Sequence, residues 1–243
     1  MAGRDLDAEH GDTPDRKYAY EFDYILRRYL VRALAPHFSG RRALELGCYE
    51  GEFTKLILER YADVTVVEGS GGLVERAQRN VGARARFVHA MFEDVVLDGP
   101  FDAVFLVHTL EHLDDPVAIL RRIRGWLGTA GRLFLVVPNA NAPSRQIAVR
   151  MGLIPHNAAV TEGERVHGHR RTYSLDTLEA DANAAGLSAV ARGGVMFKPL
   201  ANYQLDRALD AGIIDANFLE GCYRLGMVYP DLCASIYLVC EPS

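Results

Sequence analysis

Lysine, tryptophan, cysteine and long apolar runs are all scarce in this chain. Lys17, Lys55 and Lys198 are its lysines; the other members of the 27 basic residues are arginines, set against 32 acids for a net charge of −5. That balance excludes the broad basic face of a nucleic-acid-coating protein. No segment approaches the ~20 apolar residues of a membrane helix. Residues 1–17 are polar and hold no apolar signal core, so the expectation is a cytoplasmic protein with neither membrane nor nucleic-acid partner. Cys48, Cys222, Cys233 and Cys240 are too few for a disulfide scaffold and lack the paired spacing of a zinc site. They read as reduced core thiols, and no metal site is expected.

What is present is ordinary globular material. Hydrophobic residues make up 49% of 243, enough for one domain with a proper core. Residues 1–16 read as a disordered leader and 17–243 as one domain. Apolar residues at helical spacing (Phe22, Ile25, Tyr29, Leu30, Leu34) predict an N-terminal helix over 18–35. Strands are expected at 42–46, 64–68, 85–89, 102–107, 132–137, 188–192 and 234–240, with helices at 50–60, 72–80, 116–127 and 175–185. Two long stretches, 139–173 and 193–230, read as irregular lid or substrate segments, the second with some helix at 204–211 and 215–225. The alternation predicts an α/β domain, a doubly wound Rossmann-like sheet.

The most informative segment runs Ala43-Leu44-Glu45-Leu46-Gly47-Cys48-Tyr49-Glu50-Gly51, followed by a strand that ends in Glu68. Glycines after the first strand let backbone approach a ligand, and an acid ending the second is placed to accept ribose hydroxyls. A dinucleotide site wants G-x-G-x-x-G, where this chain has Gly47, Tyr49 and Glu52. Two of the three glycines are missing and an acid stands near the diphosphate position, which argues against NAD.

The E-L-G-x-x-x-G order resembles motif I of the class I S-adenosylmethionine (SAM) dependent methyltransferases. Phe101 to Leu113, ending in Leu110-Glu111-His112-Leu113, is similar to the fourth-strand motif of the ubiquinone-methyltransferase-like branch, and Gly131 to Asn139 to its fifth strand. The resemblance covers roughly residues 40–140. It implies a seven-stranded sheet whose last strand is antiparallel, SAM as cofactor, and a substrate lid inserted after the fifth strand. It also implies a cofactor set of Tyr20, Gly47, Cys48, Tyr49, Gly51, Phe53, Glu68, Gly69, Ser70, Met91, Phe92, Glu93, Val107, His108 and Thr109. Tyr49 departs from the family's middle glycine; its ring either walls the transfer region or packs on the turn.

Methyl transfer to oxygen benefits from a base, and ligands bind at the carboxyl ends of the strands. His112, just past the fourth strand, is either a base, a SAM contact or a helix-entry histidine bonded to backbone. The segment Arg165-Val166-His167-Gly168-His169-Arg170-Arg171-Thr172-Tyr173 has a composition that core packing does not ask for. His167 and His169 are the other catalytic candidates. Between 141 and 171 stand five arginines against two glutamates. This suggests an anionic small-molecule substrate, the alternative being a solvated basic face. Tyr49, Asn139, Arg145, Arg170, Arg171, Tyr173 and Lys198 are the expected substrate contacts. The extended pattern is similar to methyltransferases of bacterial surface-polysaccharide and secondary-metabolite pathways, which implies O-methylation of a sugar, sugar nucleotide or secondary-metabolite intermediate. N-methylation, an NAD-dependent oxidoreductase and a non-catalytic subunit of the same fold stay open, as does a homodimer.

Overall fold

The computed structural model describes residues 6–11 and 17–243. Seven strands form one sheet: β1 (Arg42–Leu46), β2 (Asp63–Glu68), β3 (Arg86–His89), β4 (Phe101–Val107), β5 (Leu127–Pro138), β6 (Leu187–Phe197) and β7 (Cys233–Pro242). Their order is β3-β2-β1-β4-β5-β7-β6. β7 runs antiparallel to both β5 and β6, so the expected antiparallel last strand is present.

The helices are α1 (Leu6–Glu9), α2 (Glu21–Leu34), α3 (Glu52–Ile57), α4 (Gly71–Val81), α5 (Pro116–Trp126), α6 (Pro143–Arg150), α7 (Glu162–Val166), α8 (Leu175–Ala184), α9 (Asn202–Asp210) and α10 (Ala216–Val228). They cover both sheet faces, and that is why the strands read as continuous apolar runs rather than alternating ones. In β5, Leu133, Leu135 and Val137 join the core beneath α5 and α8. Phe134 and Val136 join the core beneath α2, α3 and α10. In that second core Phe134 stacks on Phe105 at 4.8 Å. Each fully buried leucine or phenylalanine contributes about 1.5–3 kcal/mol.

Local chemistry fixes the helix starts. Asp115 accepts from the Ala118 N–H at 2.9 Å and Pro116 opens α5. Ser70 caps α4 through the Leu73 N–H at 3.0 Å. Helix α2 begins at Glu21 rather than 18, because Asp23 turns back to accept the Tyr20 N–H at 2.9 Å.

Three expectations change. Part of the presumed disordered leader is ordered: Leu6–Glu9 make one helical turn, and Asp7 accepts from the Ser70 hydroxyl and from the Gly72 N–H. Residues 1–5 and 12–16 of that leader lie outside those described. The 139–173 stretch is not irregular throughout, for it holds α6, opened by Pro143, and α7, opened by a Thr161–Glu164 capping box. β6 continues through Gly193 and Gly194, which read as a strand end, because Tyr237 and the Pro230 carbonyl cross the strand too closely for side chains there.

Strand order reverses between β1 and β4, so the crevice beyond their carboxyl ends is the topological switch point where open α/β sheets bind ligands. Among the described residues no helix is long and apolar enough to cross a membrane.

Candidate cofactor and acceptor site

A cavity of about 690 Å³ opens at that switch point. Gly47, the residue after β1, has φ +78°, and a Cβ there would lie 2.5 Å from Thr109 Oγ1. The turn therefore needs glycine both for its left-handed backbone and for its contact with the turn after β4. Cys48 follows, its N–H donating to Glu68 Oε2 at 3.1 Å, while the Ser70 N–H donates to Oε1 at 3.0 Å. Burial raises the Glu68 carboxyl above its ordinary range, and these N–H groups work against that shift. The carboxylate that ends β2 is thus fixed, with its oxygens at the cavity wall.

Tyr49 and His108 both hold left-handed backbone at φ 51° without being glycine. Strain of this kind, roughly 1–3 kcal/mol per residue, concentrates where a fold positions functional groups. The Tyr49 ring stacks on Tyr18 at 5.0 Å and walls the cavity. His108 Nε2 lies 2.8 Å from Ser235 Oγ, and burial lowers its pKa to about 3, so its imidazole is neutral. Glu45 accepts from Thr54 Oγ1 at 2.6 Å, and burial still pushes it up to about 8.

Thirteen of the fifteen expected cofactor residues line this cavity; Tyr20 and Gly51 do not. Tyr20 caps α2. Gly51 turns its Cβ position toward Val81 and Ala77, serving the packing of α3 on α4.

The substrate expectations fare differently. His112 and Tyr49 are on the wall; Asn139, Arg145, Arg170, Arg171, Tyr173 and Lys198 are not. Asn139 donates to the Asp231 and Cys233 carbonyls. Arg145 pairs with Glu164 at 2.6 Å and donates to the Asn157 and Ala159 carbonyls. Burial alone would raise Glu164, but its contacts with Arg145 outweigh this and hold it below the usual range. Arg170 meets Asp114 at 2.9 Å and the His112 carbonyl at 3.2 Å. Arg171 donates to the Leu113 and Asp114 carbonyls. The Tyr173 hydroxyl donates to Asp181, and Lys198 to Asn202 at 2.6 Å. Arg145, Arg170 and Arg171 are thus tied to the protein itself rather than turned into the cavity.

His167 and His169 stand one layer behind the wall. The His169 ring packs on His112 at 4.5 Å between centroids, and His167 lies edge-on to Tyr18 at 5.1 Å. Glu111 is 1% exposed, and neither carboxyl oxygen has a hydrogen-bond partner; burial pushes it up to about 8. Donor atoms of Glu111, His112 and His169 fall within 4.8 Å of one another.

Two wall features escaped the sequence reading. Arg27 of α2 lines the cavity with its guanidinium 4.9 Å from the Tyr24 ring centre, and its buried Nη1 has no partner. Its signal was an arginine beside the apolar stripe of Phe22, Leu26 and Leu30. Leu6, Glu9 and His10 also reach the wall.

A seven-stranded sheet with this order, a glycine turn after β1 and a fixed carboxylate after β2 define a nucleoside-cofactor-binding α/β enzyme. A methyltransferase-domain family model matches residues 18–192, and the chain belongs to that family. It is 27% identical over 207 residues to a ubiquinone biosynthesis O-methyltransferase of Xanthomonas axonopodis, covering 83% of each chain. The corresponding protein of Aeromonas salmonicida is also 27% identical, over 70% of this chain and 73% of that one. The fold matches N-methyltransferase NodS of Bradyrhizobium japonicum in complex with S-adenosyl-L-homocysteine (SAH), with TM-score 0.60 and 14% identity over 98% and 96% of the chains. It also matches magnesium protoporphyrin IX methyltransferase of Synechocystis with bound SAH, with TM-score 0.58 and 15% identity over 91% and 84%. The protein is a SAM-dependent methyltransferase, and the NAD-dependent oxidoreductase reading is set aside.

The wall fits SAM. Glu68 presents a fixed acceptor suited to ribose hydroxyls, and the unpartnered Arg27 Nη1 suits the methionine carboxylate. Phe92 and Met91 supply apolar surface for an adenine ring.

Proposed function

We propose that the protein transfers the SAM methyl group to a hydroxyl of an uncharged small molecule. One observation carries this reading: a single cavity joins the Gly47 turn and Glu68 to His112, which the turn after β4 places on the same wall. SAM supplies a methyl on a sulfonium that already leaves readily. The protein then has to align the acceptor and exclude water, an effect that can reach about 7–11 kcal/mol. His112 is the wall group suited to engage the acceptor hydroxyl, with His169 behind it.

The wall favours an acceptor without negative charge. Glu9, Glu68, Glu93, Asp94 and Asp114 line the cavity, with Arg27 as its arginine. With Arg145, Arg170 and Arg171 tied to the protein itself, these three expected contacts no longer argue for an anionic acceptor. Relatives named for O-methylation in ubiquinone biosynthesis support oxygen as the target. The cavity stays compatible with a sugar or secondary-metabolite hydroxyl.

The test is transfer from ¹³C-methyl SAM into a bacterial small-molecule extract, read by carbon NMR and mass analysis. Label in the methoxy region on a neutral compound is expected. Label on nitrogen would replace this reading with N-methylation, and label in macromolecules alone would overturn it.

A further inference from the structure

The ring of His108 has one nitrogen committed to the fold and one left over. Its backbone is pinned at the end of β4, where the His108 N–H donates to the Val136 carbonyl at 2.8 Å with φ at 51°. Left-handed backbone at a bulky residue is a strain of the kind that persists at functional positions. The side chain reaches β7, where Nε2 lies 2.8 Å from Ser235 Oγ. The residue stands on the cavity wall, and Nδ1 makes no hydrogen bond among the described residues.

Ser235 decides which nitrogen carries the ring proton. It is 1% exposed and sits between Ala234 and Ile236, which belong to the two apolar cores. A buried hydroxyl whose proton meets no acceptor is costly. The acceptor in reach is His108 Nε2, so the hydroxyl donates there. Nε2 is then the bare nitrogen and the proton sits on Nδ1. Burial first, and the charge of Arg27 second, lower the His108 pKa to about 3, so the ring takes up no second proton. What His108 keeps for a ligand is a donor rather than a base.

We propose that His108 Nδ1–H binds the methionine carboxylate of SAM together with Arg27, and that Ser235 is the positioning residue that holds His108 in the donor tautomer. The inference rests on the methyltransferase reading above and deepens it.

Position and charge both point to that end of the cofactor. Glu68 ends β2, and Met91 and Phe92 follow β3, so the nucleoside lies on the β2–β3 side of the cavity. The next strands across the sheet are β1 and then β4. The amino-acid end of SAM therefore runs past the Gly47 turn toward the end of β4, where His108 stands. Helix α2 brings Arg27 to the same side, its guanidinium 5.8 Å from the Tyr49 ring centre. One cation and one neutral donor suit a single carboxylate, since hydrogen bonds to an ionised group are roughly twice as strong as neutral ones.

The experiment measures two affinities by calorimetry on the full chain. One ligand is SAH; the other is methylthioadenosine, which keeps the adenosine and lacks the amino acid. The proteins are wild type, His108→Gln, His108→Asn and Ser235→Ala. A glutamine amide reaches about where Nε2 stands and keeps the Ser235 contact, whereas an asparagine amide nitrogen stands about where Nδ1 does and keeps the donor. A hydrogen bond to a charged group is worth about 10–150-fold in affinity. His108→Gln should lose that much for SAH and nothing for methylthioadenosine, and His108→Asn should recover most of the loss. In ¹⁵N NMR of histidine-labelled protein, the His108 signal, assigned by its absence in His108→Asn, should show a protonated Nδ1 in wild type and mixed tautomers in Ser235→Ala. The wild-type Nδ1 signal should also move with SAH and stay in place with methylthioadenosine, a check that holds even if a variant folds poorly.

The reverse order, with His108→Gln binding like wild type and His108→Asn weakened, would mark His108 as a mere support for Ser235 and overturn the proposal. Equal losses for both ligands, a wild-type ring protonated on Nε2, or an unchanged tautomer in Ser235→Ala would overturn it too. Each of those results leaves the methyltransferase reading intact, because wild type still binds SAH. Wild type that binds no SAH overturns the reading beneath.

Discussion

Replacing Gly47 with alanine tests how the cofactor turn is built. The new Cβ would lie 2.5 Å from Thr109 Oγ1 and 2.9 Å from its Cγ2, on a backbone at φ +78°. The left-handed conformation costs an alanine about 1–2 kcal/mol. The overlap adds about 1–3 kcal/mol of overpacking. A total of about 2–5 kcal/mol leaves a domain of ordinary stability folded, with Tm lowered by about 5–15 °C. The two contributions separate in a double-mutant cycle. Thr109→Ala deletes both clashing atoms and, alone, loses the hydroxyl's bonds to the Leu46 and Val107 carbonyls, about 1 kcal/mol. Combined with Gly47→Ala it should recover the overlap and leave the backbone cost, giving a coupling of about 1–3 kcal/mol. Urea unfolding of the four proteins measures it. Additive losses, with no coupling, would show that the turn does not press on Thr109 and that the reasoning is wrong.

Three further outcomes follow from the same geometry. Glu68→Gln removes a charged acceptor worth about 1.5–3 kcal/mol, so calorimetry should show SAH binding about 10–150-fold weaker; a change within about threefold would contradict the ribose role. Glu45, pushed up to about 8 by burial, stays protonated in the fold where the unfolded chain has ionised it. Unfolding then releases a proton, so stability falls as pH rises from the ordinary carboxylate range toward 8 and levels above it. Glu45→Gln keeps an acceptor for Thr54 and should gain on wild type between pH 5.5 and 8 in urea unfolding; parallel pH profiles would refute the shift. Arg145→Ala strands a carboxylate that is 13% exposed, a local loss of about 3–5 kcal/mol. Hydrogen exchange over 143–166 should accelerate while SAH affinity holds, and unchanged protection would remove the staple role.

The sheet was legible because its physics is local. Apolar runs of strand length, Asp115 before Pro116 and Ser174 before α8 each mark an element from a few neighbouring residues. The cofactor wall was legible for the same reason, since Gly47 and Glu68 sit at strand ends whose positions the pattern already places. The lid was misread because composition counts arginines without saying where a guanidinium points. Arg145 and Glu164, nineteen residues apart, meet only once α6 and α7 pack. Glu111 stood out only as a member of the Leu110–Leu113 motif; that its side chain is 1% exposed is a product of tertiary packing, which a local motif does not show. Arg27 sits beside an apolar helical stripe, where solvent and a cavity look alike in sequence.

The account rests on the switch-point cavity being the SAM site. A crystal structure of the protein with SAH tests this most directly. The expected result is a ribose on Glu68, a carboxylate on Arg27 Nη1 and an adenine against Phe92, with the sulfur side open toward His112. SAH bound away from Glu68, or bound here with Arg27 unengaged and the ribose turned from the carboxylate, would contradict it.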